Sequence, residues 1–268
     1  MGKTNNQNKV VLITGASKGI GRATAEYLKE KGYIVYGLSR SKPEDITYNH
    51  YACDVTDYEK FKEILASIKE KEGRIDALIN NAGIGISGAI ERSNPEDVAR
   101  LFDINVNALI NLTAIALPYI RESKGRIVNV GSVAGPIPIP FQACYSASKS
   151  AIETFSLAFD MEVRDYGVRV TCVRPGDTKT SFTDSRVKNQ VEDDEVYGKR
   201  IARSVSKMEK DEQNGVPPVK VSKVIFKALK KKHPPLTVTV GFGYKFLCGI
   251  AKILPNSIKN KIIKLLYG

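Results

Sequence analysis

VVLITGASKGIG, residues 10–21, decides how this chain folds. Val10–Thr14 is a short apolar, β-branched run and reads as a strand buried on both faces. Gly15 ends it, and from Gly19 a helical pattern runs to about Lys31. Strand, glycine loop and helix in direct succession suit a dinucleotide. The glycines allow a tight turn and let the backbone approach a pyrophosphate at the helix amino terminus. The spacing is G-x-x-x-G-x-G rather than G-x-G-x-x-G, and glycines that merely cap strand and helix would look similar. Gly15, Ser17, Lys18, Gly19, Ile20 and Gly21 are the candidate contacts.

Outward from this unit, Tyr33–Ser39 reads as a second strand. Its end would meet the adenosine ribose, where Asp or Glu favours NAD. Ser39 and Arg40 stand there, with no acid before Glu44. Arg40, helped by Lys18, would welcome a 2′-phosphate, so NADP(H) is expected in preference to NAD. His50–Val55 reads as the third strand, with Asp54 as acceptor for an adenine amino group and Val55 beside it. Tyr58–Lys71 is an amphipathic helix with Phe61, Ile64, Leu65 and Ile68 inward. Ala77–Asn80 is the fourth strand. In the following Asn81-Ala82-Gly83, amides would tie strand ends together and small residues would clear the cofactor, although a plain turn is an alternative. Asp97–Arg121 is helical but broken in register near Asn105 and Asn107, which makes Asn105 a candidate site residue.

Arg126–Lys149 (RIVNVGSVAGPIPIPFQACYSASK) carries the chemistry. Ile127–Val130 is a strand, Ser132 stands at its carboxyl end, and a helix begins near Tyr145. Tyr145 and Lys149 then share one helix face. A phenol titrates near ~10, and an ammonium one turn away favours its ionised form. A serine hydroxyl in the same pocket could hold a carbonyl oxygen in line for proton transfer. Tyr-x-x-x-Lys also occurs at Tyr27/Lys31 and Tyr58/Lys62, where solvated helix faces suffice. Arg169–Arg174 is a further strand, followed by Pro175, Gly176, Thr178 and Thr180. Strands alternating with helices imply an α/β, Rossmann-type, doubly wound parallel sheet in a single domain. Its ligands bind beyond the carboxyl ends of the strands, where the candidates converge.

The chain has 268 residues, 42% hydrophobic and 26% charged, enough for a sizeable core. Four scattered cysteines suit a reduced, cytoplasmic protein, and two isolated histidines argue against a metal site. The polar amino terminus has no signal or myristoylation pattern, and no apolar run reaches the ~18 residues of a membrane span. Of the net charge of +12, eleven come from lysines between Pro217 and Gly268, a stretch without acids, leaving +1 on the first 216 residues. That distribution argues against nucleic-acid binding by the main domain.

Together these residues resemble the short-chain dehydrogenase/reductase family over roughly Lys9–Val240. The matches are Thr14-Gly15-x-x-x-Gly19-x-Gly21, Asp54, Asn80–Gly83, Asn105, Ser132, Tyr145-x-x-x-Lys149 and Pro175-Gly176-x-x-x-Thr180, in order. The resemblance implies hydride transfer between nicotinamide C4 and a carbonyl or alcohol carbon. It implies Tyr145 as acid/base, and Lys149 as binding the nicotinamide ribose and lowering the tyrosine pKa. Ser132 would orient substrate, Asn105 would hold a relay water, and Thr180 would meet the carboxamide. It also implies a homo-oligomer formed through the Tyr145 helix and the one before it. The rival reading is a cofactor-binding regulatory or scaffold protein without turnover.

Residues 9–240 are thus expected to form the catalytic domain, with the charged segment 181–216 as a substrate lid or a solvated surface helix pair. Ile84, Ile86, Ile137, Ile139, Phe141 and Phe182 would frame a pocket without an evident carboxylate clamp, favouring an apolar substrate. Cys144 reads as a small packed residue or a pocket wall. In the extension 241–268, Phe242, Phe246, Ile250 and Leu254 recur at helical spacing before Pro255. Ile258, Ile262, Leu265 and Leu266 recur after it, opposed by lysines. Two basic amphipathic helices could lie on an anionic membrane or pack on the subunit or a neighbour.

Overall fold

The computed structural model describes residues 8–182, 185–189 and 194–267. Among these the strands are β1 (Val10–Thr14), β2 (Ile34–Ser39), β3 (Asn49–Ala52), β4 (Ala77–Asn80), β5 (Ile86–Gly88), β6 (Arg126–Val130), β7 (Arg169–Arg174), β8 (Val187–Asn189) and β9 (Thr237–Thr239). The helices are α1 (Gly19–Glu30), α2 (Tyr58–Glu72), α3 (Pro95–Phe102), α4 (Ala108–Glu122), α5 (Ala143–Val163), α6 (Gly198–Gln213), α7 (Pro218–Lys230), α8 (Phe242–Ile253) and α9 (Asn256–Tyr267). Seven strands form one parallel sheet in the order β3-β2-β1-β4-β6-β7-β9.

The apolar runs are continuous because both sheet faces are covered. Val10 and Leu12 point into one core with Leu78, Ile127 and Val170, packed by Phe61, Leu65 and Ile68 of α2 and by Leu112, Ala116 and Ile120 of α4. Val11 and Ile13 point the other way, joining Ile79, Val128 and Val173 under Ala25 and Leu28 of α1 and Val221 and Ile225 of α7. Side chains alternate along a strand, so a strand buried on both faces must be apolar at every position. The chain winds outward from β1 to β3, then returns to β4 on the other side of β1. The crevice at that switch lies above Thr14 and Asn80.

Strand three is shorter than expected. Pairing with β2 ends at Ala52, and Asp54 starts a turn, its Oδ1 accepting from Thr56 N and Oγ1 at 3.0 and 2.8 Å. The register break near Asn105 is a π-turn over Asp103–Asn107 between α3 and α4. The helical run Pro95–Glu122 is, among the described residues, the one long and apolar enough to cross a membrane. Its Leu101, Ala108, Leu112, Ala116 and Ile120 are buried, so one face of the run packs into the core.

Beyond the six strands expected from the sequence, β9 adds an edge next to β7, and β5 pairs with β8 as a separate parallel ribbon. That ribbon ties the region after β4 to the expected lid. The described part of the lid is not a solvated helix pair: α6 buries Ile201, Val205 and Met208 against Ala89, with Ile139, Phe141 and Tyr267 packed around them. The two tail helices form where the periodicity places them, on either side of Leu254-Pro255.

Candidate active site

The glycine loop is shaped by contacts that leave no room for a side chain. Gly15 and Gly19 adopt φ of +65° and +58°, conformations that side chains disfavour. A Cβ on Gly21 would lie 2.2 Å from the Gly15 carbonyl oxygen and 2.5 Å from Asn81 Nδ2. Asn81 latches the two strand ends. Its Nδ2 donates to the Thr14 and Gly15 carbonyls at 3.0 and 3.1 Å, while Thr14 Oγ1 accepts from Asn81 N and Ala82 N. Helix α1 starts without a side-chain cap and without an acid in its first turn. The positive end of its dipole is therefore not offset by the chain, which suits an anionic group there. These features fit a pyrophosphate-bearing cofactor.

The remaining cofactor candidates surround this cradle. Thr180 lies across the loop, its Cβ 3.4 Å from where a Gly19 Cβ would stand. Thr178 Oγ1 donates to the Gly176 carbonyl at 2.9 Å. Ser17 and Ile20 are half-buried in the loop and Val55 packs partly on the core. At the end of β2 the Ser39 hydroxyl is turned inward, donating to the Ser41 carbonyl at 2.9 Å and sharing a 2.7 Å hydrogen bond with His50 Nε2. Arg40 and Lys18 are exposed.

The catalytic candidates meet at the carboxyl end of β6. Lys149 is buried and its Nζ donates to the Val130 carbonyl at 3.1 Å, 5.7 Å from the Tyr145 ring centroid. Ser132 lies close enough to the Tyr145 oxygen for its hydroxyl to favour the phenolate. Its Oγ also accepts from Ala134 N at 3.1 Å. Gly83 completes the group: a Cβ there would stand 3.1 Å from Asn105 Oδ1 and 3.6 Å from Lys149 Nζ.

The electrostatics differ from the sequence-based expectation of an easily ionised Tyr145. Its ring keeps some solvent contact, yet desolvation of the hydroxyl pushes the phenol up to about 12, more than Ser132 and Arg186 offset. Desolvation likewise lowers Lys149 to about 8. Each is driven toward its neutral form because the cleft wall is dry. Near pH 7 the phenol is protonated and the lysine still carries charge.

Asn105 is fully buried with its side chain committed. Nδ2 donates to the Ile84 carbonyl and Ser148 Oγ at 3.0 and 3.1 Å, and Oδ1 accepts from Ile84 N at 2.8 Å. The amide clamps the loop after β4 to α5. Any water on Asn105 would use its backbone carbonyl, since π-turn bonding, i to i+5, frees a carbonyl from the usual ladder. Behind it, Asn80 Nδ2 donates to Thr113 Oγ1 and Asn129 Oδ1, and Asn129 donates to Ser156 Oγ, a polar chain bracing the strand ends.

The far wall combines Phe182, expected there from the sequence, with Arg186 and Glu212, which the sequence did not single out. Phe182 packs 5.9 Å from the Tyr145 ring, and Arg186 stacks over Phe182. Arg186 is buried and ion-paired with Glu212 of α6. Arg186, Glu212 and Asp177 all act electrostatically on Tyr145. A carboxylate and a guanidinium therefore act on the phenol from beside the apolar Phe182. Cys144, beside Tyr145, has its thiol pushed up by burial.

Comparison with known proteins agrees with this geometry. The family described as short chain dehydrogenase matches residues 9–191. The chain is 38% identical over 266 residues to a 3-ketodihydrosphingosine reductase of Bacteroides thetaiotaomicron, covering 98% of this chain and 99% of that one. It is 33% identical over 190 residues to the 3-oxoacyl-[acyl-carrier-protein] reductase FabG of Thermotoga maritima, covering 66% and 77%. Among solved structures, a short-chain dehydrogenase from Streptomyces avermitilis superposes with a TM-score of 0.81 at 29% identity, over 97% of this chain and 96% of that one. The chain belongs to the short-chain dehydrogenase family of oxidoreductases.

Proposed function

We propose that the protein is an NADP(H)-dependent reductase of a carbonyl on an apolar, lipid-like substrate, with Tyr145 as the proton donor. The observation that carries this reading is the Ser132–Tyr145–Lys149 cluster at the strand tips, with its phenol held protonated near neutral pH. Reduction needs a proton at the carbonyl oxygen as the carbon gains hydride, and a protonated phenol in a dry cleft can deliver it. The Ser132 hydroxyl, which favours the ionised form of that phenol, steadies the phenolate left behind. Lys149 supplies a nearby positive charge, and Asn105 holds α5 and the loop after β4 in register. When bound, the dinucleotide supplies the hydride. Gly15, Gly19, Gly21, Asn81, Gly83, Pro175, Gly176 and Thr180 would hold it, with Asp54 toward the adenine.

Arg40 supports the 2′-phosphate form. It is the exposed side chain at the end of β2, whereas Ser39 is turned inward and no acid lies between them and Glu44. The lipid-like substrate is supported by Phe182 over Tyr145 and by similarity to reductases named for long-chain and acyl ketones. Four free cysteines suit a cytoplasmic setting. Exposed Ile110 on α4 and Met161 on α5 suit association of subunits through those helices.

The test is NADPH oxidation across a panel of long-chain ketones, comparing the wild type with Tyr145→Phe. Turnover by the wild type, reduced about a thousandfold or more in the variant while both bind NADPH, supports the reading. Binding without turnover by either protein favours a non-catalytic role.

A further inference from the structure

We propose that α8 and α9 seat the enzyme on an anionic lipid surface, and that this seat is fastened to both sides of the substrate cleft. Lipid-borne carbonyls would then reach Tyr145 from the membrane. The docking follows from the surface itself; its link to substrate delivery rests on the reading of Tyr145 given above.

Each tail helix turns an apolar stripe away from the protein. On α8, Phe242, Phe246 and Ile253 fall within an arc of about 40° at roughly 100° per residue. Phe242 is 88% exposed and Ile253 85%. The opposite face carries Tyr244 and the buried Cys248, which hold the helix to the subunit. On α9, Ile258, Ile262 and Leu265 point outward, Leu265 at 71% exposure, while Ile263 and Tyr267 point inward. The stripes lie on consecutive helices, joined through Leu254-Pro255. Isolated exposed apolar residues are ordinary, but a clustered set of this size marks a contact surface.

The charge around the stripes selects the occupant. Lys245, Lys252 and Lys261 flank them and Lys264 stands further round α9, all four exposed, and the chain has no Asp or Glu after residue 216. Apolar stripes rimmed by lysines match the acyl boundary and headgroups of an anionic bilayer. A second copy is a poorer match: a two-fold contact would set these lysine-rich helices, which carry no acid of their own, against themselves.

The attachment reaches the cleft at two points. The Tyr244 ring lies against Gly176, where a Cβ would meet it at 2.2 Å, and its hydroxyl donates to Asp177 Oδ2. Tyr267 donates to Asp211 Oδ2 at 3.3 Å, one residue before the Glu212 that pairs with Arg186. One tail helix therefore holds the Pro175–Thr180 loop, and the other holds α6.

Co-sedimentation of the full-length protein with phosphatidylglycerol and phosphatidylcholine vesicles tests the proposal. The wild type is expected to favour phosphatidylglycerol at least tenfold and to lose that preference as salt shortens the screening length to a few ångströms. Phe242→Ser/Ile253→Ser/Leu265→Ser should bind at least tenfold more weakly, and Lys252→Glu/Lys261→Glu/Lys264→Glu should lose the anionic preference. Both should keep wild-type NADPH affinity and wild-type turnover of a water-soluble ketone. Absence of the wild type from both vesicle pellets overturns the proposal. So does a serine variant that binds vesicles normally, or one whose only change is a smaller oligomer by sedimentation equilibrium. If the wild type docks but Tyr145→Phe retains full turnover, docking stands and the active-site reading falls.

Discussion

The Lys149 ammonium donates to the Val130 carbonyl oxygen at 3.1 Å, inside a wall dry enough to bring the lysine down to about 8. That bond joins α5 to the end of β6, so the residue beside the Tyr145 phenol is also a structural tie. The arrangement has a thermodynamic signature. An unfolded lysine titrates near its ordinary 10.5, so between about pH 8 and 10.5 the unfolded chain binds more protons at this site. Stability from this group therefore rises with pH across that window, by on the order of 3 kcal/mol at most. Comparing chemical denaturation of the wild type with Lys149→Met from pH 7 to 10.5 isolates the effect. The wild type should gain relative to the variant as pH rises, and parallel curves would show that Lys149 is not desolvated.

Gly21 tests the nucleotide cradle. Alanine there would place a methyl 2.2 Å from the Gly15 carbonyl, a backbone atom that cannot swing aside as a side chain could. The loop must shift, moving the α1 amino terminus with it. Gly21→Ala is expected to stay folded by circular dichroism and to bind NADPH at least tenfold more weakly, about 1.4 kcal/mol. Unchanged affinity by fluorescence titration would place the cofactor elsewhere.

Arg40 tests cofactor choice. A charge-assisted bond from a guanidinium to a phosphate contributes about 1.5–3 kcal/mol, roughly tenfold to a hundredfold. Arg40→Asp should lower kcat/KM for NADPH by that factor and leave NADH unchanged or improved, since a carboxylate suits a free 2′-hydroxyl. Equal losses with both cofactors would mean that Arg40 does not read the 2′ position.

What could be read from the chain was local chemistry. β1, the glycine loop and α1 occupy consecutive residues, and each limits its own backbone. The Asn105 break was visible because asparagine is a poor helix-interior residue, and the structure resolves it as a π-turn. Features set by distant contacts stayed hidden. β5, β8 and β9 have three residues each, too few to show a period. Arg186 and Glu212 are 26 positions apart in charged surroundings, and folding alone selects that pair. Phe242 and Phe246 repeat at helical spacing whether their stripe meets protein or lipid, so periodicity could not choose the buried face. The Tyr145 pKa escaped for the same reason. The neighbouring lysine is legible in the sequence, but the desolvation that raises the phenol belongs to the assembled cleft.

Tyr244 tests whether the tail supports the site. Its hydroxyl donates to Asp177, a carboxyl that burial holds above its ordinary range and that this hydrogen bond draws back down. In Tyr244→Phe the donor is lost and the carboxyl stays buried, at a cost of about 1–3 kcal/mol. The folded pKa of Asp177 should rise further, so the destabilisation should be larger at pH 7, where the carboxylate must be charged, than at pH 4, where protonation relieves it. The loop carrying Thr178 and Thr180 should loosen with it, weakening NADPH binding several-fold. Thermal melts at both pH values, with NADPH titrations at pH 7, check the three effects. Equal loss of stability at both pH values with unchanged NADPH affinity would show that α8 is attached beside the site without supporting it.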